Sequence, residues 1–160
     1  MPWKGEKKPY RIWLSEIILQ QTRVEQGLDY YNKFITTFPE IQDLAKANEK
    51  DVFKCWEGLG YYSRCRNLIE TAKFIHQERQ NIFPSTYEEI LNLKGIGSYT
   101  AAAIASFAFN LPYAVVDGNV SRVLARVFGL YDAIDTSAGK KIFLDLASEL
   151  LDKQNPGKYN

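Results

Sequence analysis

Apolar residues recur along this chain at helical spacing almost from end to end. Trp13, Leu14, Ile17 and Ile18 share one face of a helix expected over residues 10 to about 21. Val24, Leu28, Tyr31 and Ile35 line up in a second, residues 24–38, which Pro39 ends. A short helix is expected over 41–47, and Asn48 reads as the N-cap of another over 49–57. Gly58–Leu59–Gly60 interrupts the chain before a long helix, 61–80, patterned by Leu68, Ala72 and Ile75. The overlapping capping boxes Ser85-x-x-Glu88 and Thr86-x-x-Glu89 open a helix that runs to Lys94. An Ala-rich helix, 99–109, follows and closes at Asn110–Leu111–Pro112. Asp117 stands as cap of a helix over 119–129. Asp135 or Thr136 caps a last one, to about residue 152, with Ile142, Leu146 and Leu150 as its stripe. Asn155–Pro156–Gly157 stops it. Strand patterns are nearly absent, so the expected fold class is all-α, with eight or nine helices.

Length and composition narrow this modestly. A chain of 160 residues makes one ordinary domain or two small ones, and 46% apolar residues suffice for a core. The net charge is only +1, so any affinity for nucleic acid must come from local groups. Arg64 with Arg66, Arg122 with Arg126, and Lys140 with Lys141 are the candidates, although basic residues on helices mostly solvate a face. Two cysteines, Cys55 and Cys65, are too few for a disulfide framework and lack the spacing of a zinc site, which fits a reducing compartment. No apolar run reaches membrane-spanning length, the N-terminus is not a signal peptide, and no repeat is visible. His76, late in a long helix, reads as structural.

The candidate chemistry centres on Leu93–Lys94–Gly95–Ile96–Gly97–Ser98–Tyr99–Thr100–Ala101. Two glycines two apart, just ahead of a helix N-terminus, fit a phosphate cradle of free amides. They fit equally a tight turn between packed helices. A strand-led P-loop is excluded, because a helix precedes the turn and the Walker lysine is missing. Glu16 borders the buried face of the first helix. It serves as a solvated surface group or as a carboxyl whose pKa burial raises. Asp117 serves as a helix cap, worth about 1 kcal/mol, or as a fixed negative charge beside a cationic transition state.

Four stretches in order carry a resemblance: the hairpin above, Val115–Val116–Asp117–Gly118–Asn119–Val120–Ser121–Arg122–Val123, Trp13–Leu14–Ser15–Glu16–Ile17–Ile18–Leu19–Gln20–Gln21–Thr22, and Gly58–Leu59–Gly60–Tyr61–Tyr62–Ser63–Arg64. Together they resemble the helix-hairpin-helix DNA glycosylases, and among these the MutY-type adenine DNA glycosylases. The resemblance covers nearly the whole chain. It implies a six-helix lobe over residues 10–112, with the helix-hairpin-helix at about 86–109, and part of a second lobe over 113–160 carrying the catalytic aspartate. It implies hydrolysis of the N-glycosidic bond of adenine mispaired with 8-oxoguanine or guanine in double-stranded DNA, by a monomeric, intracellular, DNA-associated protein with no membrane partner.

The residue roles follow from the same resemblance. Glu16 protonates adenine at N7, Asp117 stabilises or captures the sugar cation, and Asn119 orients Asp117 or the water. Tyr99 lines the sugar pocket. Relatives of the endonuclease III type carry a lysine there that nicks the strand, so Tyr99 implies a monofunctional enzyme. Gln20, Gln21, Thr22 and Tyr61 contact the base opposite adenine, although on their own they also read as a polar helix end and a core ring. Trp3 and Leu19 wall the adenine pocket. Lys94, Gly95, Gly97, Thr100, Arg64 and Arg122 meet phosphates. The family's [4Fe–4S] cluster uses cysteines beyond residue 160 and is followed by a further domain, so the chain is expected to be a fragment that binds no cofactor or metal itself. Its start also falls after a helix the family has before Pro-Trp. Ser121 stands where some members have a lysine. Two alternatives stand beside this reading: another glycosylase of the superfamily, acting on thymine or oxidised pyrimidines, and a non-catalytic helix-hairpin-helix DNA-binding module.

Overall fold

Helix α1 (Pro9–Leu19) is the axis of the packing, with Trp13, Leu14 and Ile18 fully buried on it. In this computed structural model, which describes residues 5–160, α1 touches α2 (Val24–Thr37), α5 (Tyr62–Glu78) and α7 (Ser98–Phe109). The short helices α3 (Ile41–Lys46) and α4 (Glu49–Trp56) pack on α5. α6 (Tyr87–Leu91) packs on α7 across the glycine turn. One hydrophobic core runs through these seven helices, from Tyr10 to Ala105. No strand occurs among the described residues.

Helix α7 explains the closeness of the packing. Residues Thr100 through Ser106 are buried without a polar face, as expected of a helix apolar all round. Its alanines let α1 and α6 approach the backbone closely. The remaining helices are α8 (Gly118–Phe128), α9 (Ser137–Leu150) and the single turn α10 (Pro156–Tyr159). α8 packs on α9, and α10 packs on α7.

The caps follow local chemistry. Asn48 accepts from the Lys50 amide, Thr86 from Glu89, Asp117 from Asn119 and Val120, and Thr136 from Gly139. Thr86 and Thr136, not Ser85 or Asp135, are the caps. Several helices are shorter than their apolar pattern. α1 stops at Leu19, so Gln20–Thr22 lie in a turn beyond it. α5 starts after Tyr61, which takes a left-handed conformation as its N-cap. α6 has five residues, because the chain must turn into the hairpin. The last long helix ends at Leu150, ahead of Asn155–Pro156–Gly157, where Pro156 opens α10, a place a proline suits.

Candidate active site

Glu16 stands on α1 beside Ser15 and Ile17, both buried, and its own side chain is mostly covered. It lines a cleft of about 750 Å³ with Glu6, Ile12, Phe107, Lys158 and Asn160 among others. Burial pushes its carboxyl up to about 7, so the group carries a proton over much of the neutral range.

Asp117 caps α8, and its carboxylate is fully engaged. Oδ1 accepts from the backbone amides of Asn119 and Val120, each at 2.8 Å. Oδ2 accepts from the Asn119 side-chain amide at 3.1 Å. The Arg122 guanidinium donates to the other end of that amide at 2.5 Å. Arginine only donates and carboxylate only accepts, so the Asn119 amide has one orientation that serves both. The cap reading of Asp117 and a positioned charge are therefore one geometry.

Tyr99, in the first turn of α7, lies within electrostatic reach of both carboxylates. Its hydroxyl is held above the usual tyrosine range by burial, then by Glu16, then by Asp117. Tyr99 thus stands electrostatically between two carboxyls far apart in sequence, although neither it nor Asp117 is among the residues lining the Glu16 cleft.

The hairpin is built against α5. Gly95 has φ +79°, and a Cβ there would stand 2.7 Å from Asn67 Cβ, so both the dihedral and the space require glycine. The Thr71 hydroxyl donates to the Lys94 carbonyl at 3.0 Å, and the Lys94 ammonium pairs with Glu70. Gly97 caps α7 with extended backbone and open space around it.

Three expected contacts are placed differently. Thr100 is 3% exposed and accepts a hydrogen bond from Gln20, so its side chain does not present itself to a phosphate. Leu19 sits against Gly27 of α2, where an added Cβ would meet it at 2.8 Å, and it is not part of the cleft lining. The Arg64 guanidinium is turned inward onto backbone carbonyls of the α1 end and onto two aromatic rings, which corrects its expected role as a phosphate contact. Thr22 Oγ1 reaches the Gln20 carbonyl at 3.4 Å. Gln21 and Tyr61 are exposed and left-handed. Trp3 lies outside the described residues.

One participant gave no signal in the sequence. The Asn160 amide donates to Ser106 Oγ at 2.8 Å and to the Tyr113 carbonyl at 3.0 Å, and accepts from the Val115 amide at 3.0 Å. It pins the segment that leads to Asp117 onto α7. A lone asparagine after a Pro-Gly turn carries no pattern to betray this.

Cys55 and Cys65 are free and buried, and burial pushes the Cys65 thiol up to about 12. Two such thiols do not fit a [4Fe–4S] cluster, which four thiolates hold. Among the described residues no group of three or more His, Cys, Asp or Glu side chains could hold a metal ion.

Residues 14–148 match the HhH-GPD superfamily of base excision DNA repair proteins. The chain belongs to this superfamily. An adenine DNA glycosylase of Buchnera aphidicola subsp. Baizongia pistaciae is 48% identical over 130 residues, which cover 81% of this chain and 37% of that protein. The adenine DNA glycosylase of Buchnera aphidicola subsp. Acyrthosiphon pisum is 38% identical over 100% of this chain and 46% of its own length. The chain thus spans less than half the length of these curated relatives. A solved thermostable thymine-DNA glycosylase superposes with a TM-score of 0.89 at 28% identity, over 100% of this chain and 74% of that one. Superfamily members named for different bases therefore share this fold, and the base must be argued from the site.

Proposed function

We propose that this chain is the catalytic core of a monofunctional adenine DNA glycosylase of base excision repair, acting on adenine opposite 8-oxoguanine or guanine. The observation that carries the reading is the pair of unlike carboxyls within electrostatic reach of Tyr99: Glu16, pushed up to about 7 by burial in a cleft, and Asp117, held by three hydrogen bonds. Two carboxyls whose surroundings set opposed tasks are what a glycosidic cleavage requires. Similarity to adenine DNA glycosylases of two Buchnera aphidicola subspecies supports adenine as the base.

The chemistry is short. The flipped adenine enters beside Glu16, whose carboxyl gives its proton to N7 as the bond from C1′ to N9 breaks. The electron pair leaves with the base, and the sugar becomes an oxocarbenium ion. Asp117, fixed by the α8 amides and Asn119, supplies a held negative charge to that cation. Water adds at C1′, forming the C–O bond and giving up one proton to solvent, and an abasic site is left. Tyr99 offers no amine for a Schiff base, so the strand stays intact. Lys94, Gly95 and Gly97 at the start of α7 meet backbone phosphates, joined by Arg122, while Gln21 and Tyr61 enter the duplex near the opposite base. Residues 10–112 and 113–160 act as two lobes around the cleft.

A single-turnover assay tests this, using duplexes with adenine opposite 8-oxoguanine and developed with and without alkali. Breaks only after alkali are expected. Breaks without alkali would remove the Tyr99 argument. Release of thymine from a T:G duplex in place of adenine would favour the specificity of the thymine-DNA glycosylase that the fold also resembles. Duplex binding with no release from either would leave a DNA-binding module.

A further inference from the structure

We infer that Arg64 is a positioning residue that sets Gln21 and Tyr61 as a matched pair and ties both to the helix that carries Glu16. The inference rests on the glycosylase reading above. Gln21 (φ 57°) and Tyr61 (φ 45°) are both exposed, and Tyr61 is 63% exposed. A left-handed backbone is unfavourable for a residue with a Cβ, so neighbouring structure must hold it there. Arg64 is the side chain that reaches both turns.

Its Nη1 donates to the carbonyls of Ile17 at 3.0 Å, Ile18 at 3.2 Å and Gln20, the residue before Gln21. Nη2 reaches the Leu59 carbonyl at 3.4 Å, in the turn that leads to Tyr61. Arg64 Cζ lies over both rings, 5.2 Å from the Trp56 ring centre and 5.5 Å from that of Tyr61. Trp56 in turn donates to the Gly60 carbonyl at 2.9 Å. One planar group therefore fixes the end of α1, the Gly60–Tyr61 turn and the face of the Tyr61 ring. Glu16 is the residue before Ile17, so the grip falls on the same stretch of helix. An ammonium is a point charge and cannot bond in a fork while stacking on a ring.

The chemistry gives this a purpose. Extruding a base leaves a gap that must be filled while the opposite base is held. Probes that wander relative to the proton donor would extrude the base without aligning it.

The test uses the whole chain with 2-aminopurine at the adenine position, base release at saturating enzyme, and duplex binding across a salt series. Arg64→Met, Arg64→Lys, Tyr61→Ala and the Arg64→Met/Tyr61→Ala pair are compared with wild type, with folding checked by circular dichroism. Arg64→Met is expected to lower the extrusion signal and the release rate on the order of tenfold. The salt slope of binding should stay unchanged, because Arg64 gives its donors to carbonyls. Adding Tyr61→Ala should cost little more, as residues acting through one another do not add. Arg64→Lys keeps the charge and should rescue little; should Arg64→Met fail to fold, Arg64→Lys carries the test. A slope lower by about one with extrusion intact would mark a phosphate contact and overturn the inference. So would additive losses, or an Arg64→Lys variant equal to wild type. Extrusion without release counts against the adenine reading alone. Release that ignores Arg64 counts against this inference alone, and absence of both overturns both.

Discussion

The Gln20 side chain, just past the end of α1, donates a 3.3 Å hydrogen bond to the Thr100 hydroxyl in the first turn of α7. This bond joins the helix of Glu16 to the helix of Tyr99 beside the hairpin. Thr100→Val keeps the shape and removes the acceptor. It should cost about 1 kcal/mol in chemical denaturation. Single-turnover base release should fall more than duplex affinity does, because the joint aligns groups and touches no phosphate. Equal losses in both would show that the bond only supports the fold.

Glu16 should govern the alkaline limb of the reaction. A proton donor with its carboxyl near 7 is spent as the pH rises through that value, so base release should decline above about pH 7. Glu16→Gln should reduce the single-turnover rate by at least about 10²-fold and flatten the limb, with duplex binding retained. A wild-type profile flat from pH 6 to 9 would remove Glu16 from the proton transfer.

The same carboxyl ties stability to pH. Its carboxyl, pushed up to about 7 in the folded state, lies above the ordinary glutamate value of 4.5, so the native state binds the proton more tightly than the unfolded chain. Stability from this group is complete below about pH 4.5 and is lost as the pH rises through 7. Glu16→Gln should therefore stabilise the protein at pH 8 by on the order of 2 kcal/mol and make little difference at pH 4. Urea titrations at the two pH values measure it; an equal effect at both would contradict the linkage.

Asp117 combines a cap with a charge, and two substitutions separate them. Asp117→Asn retains a side-chain oxygen for the α8 amides and should leave stability within about 0.5 kcal/mol. Base release should still fall by about 10²-fold or more, since the fixed charge is gone. Asp117→Ala should lose the rate and about 1 kcal/mol of stability together. A fully active Asp117→Asn protein would reduce Asp117 to its cap.

The hairpin gives a steric prediction. Gly95→Ala meets both φ +79° and the Asn67 side chain, so a loss of roughly 1–3 kcal/mol is expected with weaker duplex binding. Asn67→Ala removes the amide but leaves its Cβ, and the dihedral cost persists. The double variant should therefore recover only part of the loss in thermal melts. Full recovery would mean that the backbone, not the contact, had adapted.

Local rules made much of this legible. Asn48, Asp117 and Thr136 cap helices that the pattern proposes, because a cap is written within three residues of the end it serves. The Glu16 carboxyl is raised as its place beside the apolar face suggests. What escaped is non-local. The apolar pattern carries the first helix through Gln20 and Gln21, but the final carbonyls of α1 accept from Arg64, 44 to 47 positions away, and the helix stops at Leu19. The same contact takes Arg64 out of the solvent, where charge alone had put it. Thr100 is buried for a like reason: its partner Gln20 lies on another element.

Helix α8 buries little of itself. Ser121 is its one buried residue, while Val123 and Val127 are 55% and 69% exposed. Segments with so little packing open at low free energy, well before the core does. Glu16, by contrast, rides on one of the best-buried helices in the molecule. On warming, the arm that presents Asp117 is expected to come loose before the scaffold around Glu16. For the proposed glycosylase, base release is therefore expected to fail at a lower temperature than the fold melts, so that a protein intact by its helical signal would already be idle.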